Sequence, residues 1–75
     1  MTGDVTSGEG QFAERSTTRF AAITCLLEDA HEVAVSGQAA QLKAIEYQNL
    51  AEMIATRMQS IMRQCDEIMS GASRL

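Results

Sequence analysis

The chain holds one stretch whose spacing suits a chemical site. Glu28, Asp29, Ala30 and His31 read as Glu-x-x-His. That spacing puts a carboxylate and an imidazole on one helix face, and helical bundles use two such pairs, with further inward glutamates, to hold two metal ions. Here Glu28 and His31 only flank the apolar positions Leu27 and Ala30, and Glu46 and Glu52 fall off the apolar stripe. The pattern therefore predicts solvated side chains and no metal site. Cys25 and Cys65 have no second cysteine or histidine at zinc-ligand spacing. In a hairpin folded at Gly37 they stand about 24 Å apart along the helices, too far for a disulfide. Cys65 is expected as a small buried apolar residue and Cys25 as a free surface thiol, with a Cys65–Cys65 contact across a dimer as the alternative. The acids Glu28, Asp29 and Glu32 make a wet helix face, or a surface that steers a basic partner. No phosphate loop and no nucleophile–base pair occurs. No catalytic residue, cofactor or small-molecule substrate is expected, and the chain is not read as an enzyme.

What the residues do carry is a long apolar seam. Ala40, Ala44, Tyr47, Ala51, Ile54, Met58, Ile61, Cys65 and Ile68 alternate spacings of four and three, which lines them along one helix. Leu42, Ile45, Leu50, Met53, Met62 and Met69 widen this stripe. Upstream, Phe20, Ile23, Leu27, Ala30 and Ala34 follow the same rhythm, with Leu26 and Val33 to one side. Ser16 and Thr17 can cap that helix, and Gly37 and Gly71 read as helix stops. The expectation is all-α: an antiparallel hairpin over residues 16–71, with helices at about 17–35 and 39–70. Residues 1–15 are expected as a disordered tail, with Phe12 the lone anchor of a stretch that can add a helical turn. Residues 72–75 are expected to fray.

On that plan the second helix outreaches the first. Phe20 falls near residues 54–58, and Ile61, Met62, Cys65, Ile68 and Met69 project beyond it. Each large apolar side chain left in water forfeits about 1.5–3 kcal/mol. A partner helix or a second copy is therefore expected against Ile54, Met58, Ile61, Met62, Cys65, Ile68 and Met69. Methionine suits such a surface because its unbranched thioether adapts to different shapes. Arg57, Arg63, Asp66 and Glu67 are expected along its rim.

The balance of charge narrows the partner. The net charge is −4 and the six basic residues are scattered, so no nucleic acid is expected. No apolar run reaches the roughly 18–20 residues of a membrane span. The opening residues lack the basic and apolar regions of a secretory signal, which with two cysteines favours a cytoplasmic setting.

The words LLEDA (Leu26–Ala30) and LAEM (Leu50–Met53) resemble a family of small uncharacterised proteobacterial two-helix proteins with L-L-x-x-A and L-x-E-M blocks. The chain departs from that family in its connector and its Met-rich tail, and the resemblance implies a hairpin without a function. In general plan the chain is also similar to the small hairpin co-chaperones of type III secretion. A third group of similar plan, the dimeric hairpins that control plasmid copy number by binding RNA, needs more cations than this chain has. The expected role is a non-enzymatic adaptor, co-chaperone or regulator. The alternatives are a structural homodimer forming a four-helix bundle, or a nucleic-acid-binding hairpin, which the acidity disfavours.

Overall fold

The computed structural model describes the backbone of residues 2–75 and the side chains of residues 8–75. It is an all-α helical hairpin: α1 spans Thr2–Ser36 and α2 spans Ala44–Ser73. The two helices lie side by side in a rod whose Cα extents are 64 × 16 × 10 Å.

The seam between the helices has one rhythm on both sides. On α1 it runs Phe12, Ser16, Arg19, Ile23, Leu26, Ala30, Val33, and on α2 Leu50, Ile54, Arg57, Ile61, Gln64, Ile68, Gly71, all buried or half-buried. Spacings of four and three keep such a row facing one neighbour along its whole length. The core proper is Ile23, Ala30 and Val33. Three contacts fix the register. Phe12 lies against Gly71, the Arg19 guanidinium donates to Gln64 Oε1 at 3.0 Å, and Leu50 approaches Gly37.

This register corrects the expectation of unequal arms. Phe20 stands level with residues near 63–67, not 54–58, and α1 reaches past the end of α2. The connector is the first reason. It occupies residues 37–43 rather than 36–38, so α2 begins at Ala44 instead of Ala39. Lys43 is extended, and its N–H donates to Glu46 Oε1 at 2.8 Å, half of a capping box. The Tyr47 hydroxyl donates to the Ala39 carbonyl at 2.6 Å and ties the connector down. The second reason is that α1 starts well before residue 17. Gly8–Arg15, expected as tail, is helical, and Phe12 anchors it to the far end of α2. For residues 1–7, the expected tail lies outside the side chains described.

Of the two glycine stops, Gly37 falls where α1 ends, as expected, and Gly71 does not end α2. Gly37 does not adopt a positive φ. The helix closes there by tightening, with Gln38 N–H donating to Val35 O and Ala39 N–H to Ser36 O. Gly71 lies inside α2, which continues to Ser73. A Cβ at Gly71 would come within 3.0 Å of the Phe12 ring. This glycine is a slot for an aromatic ring and not a terminator.

Candidate interaction face

Successive helical residues are about 100° apart. In two antiparallel helices, the residue that follows a seam position at the second of each pair of steps points to the same side of the hairpin in both. On α1 that side carries Ala13, Phe20, Leu27 and Ala34, with Thr17, Thr24 and His31 between them. On α2 it carries Ala44, Ala51, Met58, Cys65 and Ala72, with Gln48, Ala55, Met62 and Met69 between them. None of these positions is Asp, Glu, Lys or Arg.

The opposite side is polar, and its contacts are visible. Arg19 reaches Glu67 at 3.9 Å as well as Gln64. Glu14, Arg15 and Thr18 line the same shallow hollow. Ser36, Glu46 and Asn49 line another near the turn. The hairpin therefore has two unlike faces, one charged and one without formal charge.

The uncharged face is apolar and open. Met62 is 66% exposed, Met69 61%, Phe20 55% and Leu27 50%. Val35, Ile45 and Met53 are exposed too, but away from this face. The chain's accessible area is 5691 Å². A compact monomer of its 8.1 kDa would expose about 4,500 Å². The excess of roughly 1,200 Å² is that of a thin rod, 64 × 16 × 10 Å, set against a compact shape.

The seven residues expected to contact a partner divide on this geometry. Ile54, Ile61 and Ile68 sit in the hairpin's own seam, half-buried by α1. Met58 and Cys65 are half-buried at its margin, and Met62 and Met69 stand open. Phe20 and Leu27 belong with the open set and not with the seam that their spacing predicts. The signal that distinguishes them is the strict row through Ser16, Arg19, Leu26 and Val33. Reading apolar residues alone rotates the seam by one position.

Cys25 and Cys65 are both free thiols. The register brings them within about two helical turns along the axis, much nearer than about 24 Å, but on opposite faces. His31, Glu28 and Glu32 line one open hollow beside Leu27 and Thr24. Among the described residues, no three His, Cys, Asp or Glu side chains converge to hold an ion. No described helix is long and apolar enough to cross a membrane. Among the described residues, Arg57 Nε is buried without a partner, while Arg57 Nη1 donates to the Met53 carbonyl at 2.9 Å. Comparison with known proteins returns no matching family model, curated protein or solved structure.

Proposed function

We propose that the chain is a non-enzymatic protein–protein interaction module, an adaptor, co-chaperone or regulator, that works by burying its uncharged face against the helices of a protein partner. The observation that supports this most is the sorting of charge. Among the described residues, every Asp, Glu, Lys and Arg lies off a face that runs along both helices. A solvated surface of a chain this polar would carry some of them. An open apolar strip of this extent on a small domain is the usual mark of an interface. The same reading assigns the protein to a reducing compartment such as the cytoplasm, in keeping with its two free thiols.

Of the expected contact residues, Met58, Met62, Cys65 and Met69 stay with the face, Ile54, Ile61 and Ile68 belong to the hairpin seam, and Phe20 and Leu27 join the contact. Ile61→Asp is therefore a test of the hairpin and not of the partner site. Met62→Glu tests the site, because Met62 supports nothing inside the hairpin. It should abolish association while circular dichroism stays unchanged. Association that survives Met62→Glu and Phe20→Glu together would reject the face.

A further inference from the structure

We infer that the occupant of the uncharged face is a second copy of this chain, so that two hairpins close into a four-helix bundle. The inference rests on the interaction reading above and names its partner.

Three observations lead there. The first is area. A stable interface buries about 800 Å² on each partner. The uncharged face runs along a rod with Cα extents of 64 × 16 × 10 Å, which gives room for a contact of that size. Such a contact leaves the charged side uninvolved. The second is width. A single helix laid in the groove between α1 and α2 would touch the margins of both. Met62 and Met69 lie one step further round α2 and are the most exposed of the large apolar side chains on the face. Covering them as well as Phe20 needs a surface two helices wide, and the hairpin presents one of matching length.

The third is charge. Each copy carries −4, so two copies repel unless their charges stay off the contact. A face without formal charge meets its own copy at no Coulombic cost. A basic or acidic partner would instead be matched by opposite charges at the contact, and none stand on this face. The face also supplies both halves of a fit. Phe20 and Leu27 project from α1, while Ala51 and Ala55 leave shallow places on α2. The interior of such a bundle would gather Phe20, Leu27, Met58, Met62 and Met69 around the existing seam.

Light scattering on the purified full chain tests this directly. A mass of twice 8.1 kDa is expected, falling toward 8.1 kDa on dilution. Phe20→Glu with Met62→Glu should raise the dissociation constant at least about a hundredfold, because each carboxylate would have to enter an apolar contact. Circular dichroism on the concentrated variant separates dissociation from unfolding. Met53→Glu, on the charged side, should leave the mass at the dimer value. A wild-type chain that is a folded monomer at high concentration overturns the inference, and so does a dimer broken by Met53→Glu but not by the double variant. The interaction reading has a separate readout. A monomer whose face binds a synthetic uncharged amphipathic helix, and loses it with Met62→Glu, keeps that reading and removes only the second copy. A monomer that binds no such helix removes both.

Discussion

At the scale of single residues, the hairpin seam holds side chains that apolar patterning does not select. Ser16 and Arg19 sit seven residues before Ile23 and Leu26, and Arg57 and Gln64 stand in the same row of α2 as Leu50. Arg19 is satisfied by Gln64 and lies near Glu67. Arg57 is not, since its Nε is buried without an acceptor. A stranded buried donor costs about 1–3 kcal/mol, and a residue of similar length without the charge removes that cost. Arg57→Met should therefore raise stability by about 1 kcal/mol, read as a higher urea midpoint at unchanged slope. A loss of stability would show that the guanidinium holds the two helices in register. Glycines give a second residue-scale contrast. Gly8 and Gly10 lie in α1 with nothing near enough to meet a Cβ, so Gly10→Ala should stabilise the helix by about 1 kcal/mol. Gly71→Ala has the same intrinsic gain, but it must displace the Phe12 ring from 3.0 Å. Its net effect should fall well below that of Gly10→Ala in the same unfolding experiment.

At the scale of the elements, the two helices and their antiparallel pairing were legible in the sequence, and the register was not. Ile54, Met58, Ile61, Cys65 and Ile68 are spaced as a helix demands and do line one edge of α2. On α1, size points to Phe20 and Leu27 and polarity points away from Ser16 and Arg19, although it is Ser16 and Arg19 that face α2. Apolar spacing alone therefore turns the seam by one residue and hides the sidedness of the molecule. The connector was also illegible. Ala39, Ala40, Gln41 and Leu42 are good helix formers, and Lys43 is not a capping residue, so nothing local marks Ala44 as the first helical position. What decides it is tertiary: the Tyr47 hydroxyl on Ala39 O and the Glu46 carboxylate on the Lys43 N–H. The early start of α1 has the same character. Gly8 and Gly10 argue against a helix there, and one ring seated on Gly71 argues for it. Phe12→Ala should release that end. Amide exchange from Ile68 to Ser73 should speed up, while exchange from Leu50 to Ile61 stays as in the parent chain. Equal acceleration along all of α2 would mean that the hairpin opens only as a whole.

At the scale of the whole molecule, the account replaces an uncovered end with an uncovered side. With α1 running the full length of the rod, the last turns of α2 have an internal neighbour, and the surface left over is lateral. Its lack of formal charge has a consequence in solution. Association through it should be unchanged or slightly tightened as salt rises from about 0.01 to 1 M, across which the Debye length shrinks from about 30 to 3 Å. Salt would screen only the repulsion between two acidic chains. Weakening by salt, measured by sedimentation at fixed protein concentration, would point to a charged contact instead.

The methionines allow the central claim to be read directly, because three of them are exposed on two sides of the rod. Met62 and Met69 stand on the uncharged face, and Met53, 41% exposed, stands on the other. Peroxide oxidation of the associated protein, followed residue by residue by mass spectrometry, reports which thioethers solvent reaches. The account predicts that Met62 and Met69 are slowed together on association while Met53 keeps its rate. Protection of Met53, or of Met69 without Met62, would contradict it.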